Sequence, residues 1–129
     1  MPIDLYRFDR TLHIVKMGEC DCDTALATFE QCYGNGFSSY NSGEDALAAT
    51  SFGLSRSEKD FIEISCHGLE SVTVHSDRLC YPSGFGKTFG LKRHFFIRAD
   101  KSRGVEIIRN YFGMERQAFE TKYADSLCR

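Results

Sequence analysis

Tryptophan is absent from this 129-residue chain, no long apolar run occurs in it, and its first residues carry no export signal. A membrane-spanning helix needs about 20 consecutive apolar residues, and the longest apolar stretches here are only a few residues. Met1-Pro2-Ile3-Asp4-Leu5-Tyr6-Arg7 lacks the basic start and apolar run of a signal peptide. A cytoplasmic protein with no membrane segment is therefore expected. With no such signal, the six cysteines are expected as reduced thiols, several of them small core residues.

What is present fits one folded domain spanning residues 1–129. The composition, 42% hydrophobic and 26% charged, is that of a globular protein. Eleven Phe and six Tyr give it an aromatic-rich core, since each buried ring removes roughly 150–250 Å² from water. The net charge of −2 conceals an asymmetry. Residues 1–63 hold 11 acids and 5 bases, net −6, whereas residues 64–129 hold 7 acids and 11 bases, net +4. If the fold keeps these charges apart, an acidic and a basic face result that can steer a charged partner; otherwise both are ordinary solvated faces.

Periodicity places the elements. Ile3, Leu5, Leu12 and Ile14 mark two short strands with a turn at Asp9-Arg10. A helix is expected to start at Asp23, bury Leu26, Phe29 and Tyr33, and end at Gly34-Asn35-Gly36. Ser42 to Ala49 has the form of a short helix, and polar Ser55 to Lys59 that of a loop. Residues 60–66 alternate cleanly, with Ile62, Ile64 and Cys66 against Phe61, Glu63 and Ser65, and Ser71 to His75 returns as the partner strand. Gly-rich Tyr81 to Gly90 reads as a loop, and Lys92 to Arg98 as another strand. Asp100 caps a helix with a stripe at Val105, Ile108, Tyr111 and Phe112, Gly113 breaks it, and a last helix runs from about Met114 to Ala124. The order predicts an α+β fold, an antiparallel sheet with helices packed mainly on one face.

The recognisable motifs fail on spacing. Gly86-Lys87-Thr88 would need a glycine at position 81, which is Tyr81, to make a phosphate loop. Cys20-Asp21-Cys22 offers one thiol pair, and His13, His67, His75 and His94 add no finger-type spacing, so no metal or cofactor is expected. Cys66 and His67 point to opposite faces of a strand, leaving His75 as the base for a Cys–His dyad. Asp60, Glu63 and Asp77 could gather as paired carboxylates. The bases and aromatics of Lys92-Arg93-His94-Phe95-Phe96 carry no RNA-binding signature, which disfavours nucleic acid.

The second half, from Phe61-Ile62-Glu63-Ile64 through Arg93-His94-Phe95-Phe96-Ile97 to Tyr111-Phe112-Gly113-Met114-Glu115-Arg116-Gln117-Ala118-Phe119-Glu120-Thr121-Lys122-Tyr123, resembles the small immunity proteins of bacterial toxin systems. That resemblance implies a non-enzymatic cytosolic domain that binds and neutralises a cognate toxin. Glu19, Asp21, Asp23, Glu44 and Asp45 would then fill the basic cleft of a nuclease, with Tyr40, Phe37 or Phe85 as anchors. Against an acidic toxin, the basic stretch from Lys87 to Arg103 takes that role. Two other classes stay open. One is a small enzyme built on Cys66, His75 and Glu63; the other is a regulatory or self-assembling subunit that pairs through an exposed sheet edge.

Overall fold

The computed structural model describes residues 2–9, 11, 13–38, 48–57, 60–67, 71–75 and 96–123, with the side chains of 36–38 and 96 excepted. Six strands form one antiparallel sheet: β1 (Asp4–Phe8), β2 (Ile14–Glu19), β3 (Ser51–Ser57), β4 (Asp60–Cys66), β5 (Val72–His75) and β6 (Phe96–Ala99). Their spatial order is β2-β1-β3-β4-β5-β6. Helix α1 (Cys22–Ser38) follows β2, and α2 (Lys101–Gly113) and α3 (Arg116–Lys122) follow β6. The α+β expectation holds.

Alternation decides which face the helices cover. Leu5, Phe52, Leu54, Ile62, Ile64, Cys66, Val72, Val74 and Ile97 all point to one side and form a single core with Ala25, Phe29 and Cys32 of α1. Ile107, Ile108 and Tyr111 of α2 and Phe119 of α3 complete it. Tyr111 meets Phe119 edge-on at 5.5 Å, and Phe119 meets Tyr123 at 4.9 Å, so aromatic rings seat the last two helices.

The turn after β1 forms where expected, because Asp9 Oδ1 accepts from the main-chain N–H groups of Thr11 and His13 at 2.8 and 2.9 Å. The helix α1 departs from expectation at both ends. Its cap is Asp21, whose Oδ1 accepts from the Thr24 N–H at 2.8 Å, not Asp23. The helix also continues through Gly34-Asn35-Gly36 to Ser38. Asn35 Nδ2 donates to the Ala49 carbonyl at 3.0 Å, a tertiary anchor set against a propensity cost of about 1 kcal/mol per glycine.

Ser55 to Ser57 belong to β3 rather than to a loop, because β3 is paired on both sides, to β1 and to β4. Residues 48–50 are helical, whereas positions 42–47 lie outside the described residues, as do the glycine-rich 81–90 and the first part of the strand expected from Lys92. The last helix is shorter than expected, Arg116–Lys122. Asp100 caps α2 as expected, accepting from the Arg103 N–H at 2.8 Å. Asp100→Ala is expected to lower stability by about 1 kcal/mol, seen as a lower urea midpoint at unchanged slope.

Candidate functional site

The strand β2 runs directly into α1, and this junction brings together three acidic residues of the first half. Glu19 ends β2, Asp21 caps the helix and Asp23 lies in its first turn. All three are exposed. Hydrogen bonds from Thr24 hold the Asp21 carboxyl below its ordinary range, so it stays charged well into acid. Glu44, Asp45, Tyr40 and Phe85, expected at the same interface, lie outside the described residues, as does the Phe37 side chain.

Beside the acidic corner stands an unusual strand. Every residue of β2 is exposed, and Ile14, Val15 and Met17 are 48%, 42% and 60% exposed. Sequence reading missed this surface. Ile14 marks a strand by its alternation, and nothing local marks β2 as the last strand of the sheet.

The face of the sheet away from the helices carries a groove of about 490 Å³, bordered by Asp4, Tyr6, Ile14, Lys16, Phe61 and Glu63 among others. Register explains its floor. Tyr6 lies opposite Gly53, Gly53 opposite Glu63, and Glu63 opposite His75. Glu63 Oε2 is 3.8 Å from His75 Nε2. The groove thus offers aromatic surface flanked by charges of both signs, and β2 forms one of its walls.

The enzyme candidates are separated by the same register. Cys66 sits opposite Val72 in the helix-covered core, whereas His75 pairs with Glu63 on the other face. Burial, followed by the neighbouring Cys32, pushes the Cys66 thiol up to about 12, leaving almost no thiolate at neutral pH. The Cys66–His75 dyad does not form.

Nor do the carboxylates gather. Asp60 serves Arg56, Arg116 and Tyr111 at the helix–sheet junction, while Glu63 faces His75; Asp77 is outside the described residues. Cys20 and Cys22 are both partly buried free thiols. Burial, then the carboxylates of Asp21 and Asp4, raises Cys20 to about 11. Among the described residues, no three His, Cys, Asp or Glu side chains gather as metal ligands would.

In the basic half, Lys101 pairs with Glu30 at 2.9 Å and lies 5.1 Å over the Tyr33 ring, and Arg98 and Arg103 are exposed. Lys87, Lys92 and Arg93 are outside the described residues. No helix among the described residues is long and apolar enough to cross a membrane. No protein-family model, curated protein or solved structure matches the chain.

Proposed function

We propose that this is a non-enzymatic protein-binding domain that neutralises a cognate bacterial toxin through the acidic corner between β2 and α1. The observation that carries the reading is the contiguity of three exposed carboxylates, Glu19, Asp21 and Asp23, with the exposed apolar side chains of β2. Carboxylates at an interface speed capture of a basic partner and set its orientation, and apolar side chains beside them supply area that a purely charged patch lacks. The groove next to Ile14 and Lys16 can take one anchoring side chain of the partner. A nuclease with a basic cleft is the partner this charge pattern fits.

Affinity isolation of the tagged chain from its native cells tests the reading, with mass spectrometry of what co-purifies. One stoichiometric partner, toxic when expressed alone, is the expected result. Asp23→Lys with Asp45→Lys is then expected to weaken the complex at least about tenfold, since two attractive charges become repulsive. Asp21 is left unchanged because it caps α1. Unchanged affinity in that variant rejects the acidic corner as the interface, and a preparation with no partner rejects the binding role.

A further inference from the structure

Among the described residues, the large apolar side chains that stand in solvent are all on β2, and β2 ends the sheet. Main-chain polarity shows which of its groups face outward. Asp9 N–H donates to the His13 carbonyl at 3.0 Å, and Cys20 N–H donates to the Ile3 carbonyl at 2.9 Å. Antiparallel ladders alternate hydrogen-bonded and non-hydrogen-bonded pairs. The register Arg7↔Val15 and Leu5↔Gly18 therefore turns the main-chain groups of Val15 and Gly18 inward to β1. Those of Ile14, Lys16 and Glu19 turn outward. Between Lys16 and Gly18, Met17 is the extra residue of a β-bulge, and Gly18 adopts φ 97° there.

We propose that β2 pairs antiparallel with β2 of a second copy of this chain, joining the two sheets across a two-fold axis at the bulge. In this register Lys16 lies opposite Glu19 of the second copy, and Glu19 opposite its Lys16. Both residues have outward main-chain groups, as a ladder pair requires. Both also project on the face away from the helices, as their partners Tyr6 and Asp4 do, so ammonium and carboxylate meet on one side of the joined sheet. The strand is complementary to itself in charge. Sliding to set Lys16 against Lys16 places like charges directly opposite, which is destabilising. Pairing brings the two Met17 residues together near the axis and takes Ile14 and Val15 out of full solvent. Extended, this register sets Asp21 of one copy opposite Ile14 of the other, and only Asp23 lies clear of it. Glu19 and the apolar side chains of β2 are shared with the proposed toxin surface, so pairing and toxin binding through β2 exclude one another, although the pairing is argued from the edge alone.

Sedimentation equilibrium of the full chain over a wide concentration range tests the pairing, with charge-swapped variants beside it. The wild-type mass is expected to rise from one chain to two. Lys16→Glu and Glu19→Lys each convert two attractive cross-strand pairs into repulsive ones, so each is expected to weaken the dimer about tenfold. The double variant Lys16→Glu, Glu19→Lys restores both pairs and is expected to return the affinity to near wild type. Asp23→Lys is expected to leave dimerisation unchanged. A chain that stays monomeric throughout overturns the proposal, as does a dimer indifferent to the single swaps. It is also overturned if amides of Ile14, Lys16 and Glu19 gain exchange protection only in a complex with a foreign protein, which would assign the edge to that partner.

Discussion

Gly53→Ala is expected to cost about 3 kcal/mol of stability, an unusually large effect for one methyl group in a strand. Gly53 lies in β3 directly beneath the Tyr6 ring, and a Cβ placed there would come within 1.9 Å of Tyr6 Cζ and 2.3 Å of Cε2. Real contacts do not close to that distance, so the ring has to move. Tyr6 is only 6% exposed and packs edge-on against Phe8 at 5.7 Å, which leaves it little room. A glycine in a strand interior ordinarily weakens it; here it lets an aromatic side chain cross a neighbouring strand. The check is a double-mutant cycle in urea. In a Tyr6→Ala background, Gly53→Ala should become nearly neutral, because the clashing ring has gone. A loss of equal size in both backgrounds would locate the cost in the backbone of β3.

Much of the architecture was legible because the apolar residues of β4 and β5 obey their period; in α2, Ile108 and Tyr111 are buried as expected, whereas Gly104 and Ile107 complete the buried face and Val105 and Phe112 are only partly buried. Ile62, Ile64 and Cys66 point into the core and Glu63 away from it as alternation requires, and β5 returns beside β4. The strand β3 was not legible. Its apolar content is Phe52 and Leu54 around a glycine, followed by Ser-Arg-Ser, and it is a strand because β1 and β4 pair with it on both sides. The extent of α1 was hidden for a related reason. Gly34 and Gly36 signal a stop, and the bond that anchors the helix between them, Asn35 to Ala49, reaches outside the helix.

The acidic corner was half visible. Asp21 and Asp23 stood out as charges, yet their placement beside an apolar edge follows from the strand order, which puts β2 outermost. Edge position belongs to the topology, and Ile14-Val15-Lys16-Met17 would read the same in a central strand. Edge strands are ordinarily blunted by lysine and by bulges. β2 has both, Lys16 and the Met17–Gly18 bulge, yet exposes three apolar side chains among six residues. That combination fits an edge built for one register rather than one closed to all pairing.

Asp60→Ala is expected to remove about 3 kcal/mol, close to the loss at Gly53 but by a different route. Asp60 begins β4 and collects the groups that fasten α2 and α3 to the sheet. Its Oδ1 accepts from the Tyr111 hydroxyl at 2.9 Å and from Arg116 Nη1 at 3.2 Å, and Oδ2 lies 3.4 Å from Arg56 Nη1. Arg56 is the extra residue between Ser55 and Ser57 where the β3–β4 register shifts. Its guanidinium lies 4.5 Å over the Tyr111 ring and donates to the Tyr111 and Met114 carbonyls, closing the C-terminal end of α2. The Arg56 and Arg116 side chains are only 12% and 20% exposed. Truncating Asp60 therefore removes the carboxylate that two partly buried cations share, leaving Arg116 with Glu120 at 2.9 Å and Arg56 with the Tyr111 and Met114 carbonyls. Breaking a fully buried pair costs about 3–5 kcal/mol, and partial exposure puts this case at the low end. Asp60→Asn keeps the acceptor for Tyr111 while losing the charge, so it should fall between wild type and Asp60→Ala. Urea denaturation of the three proteins checks the order. Equal losses for Asn and Ala would assign the cost to charge alone, whereas a near-neutral Asn would assign it to the hydrogen bond from Tyr111.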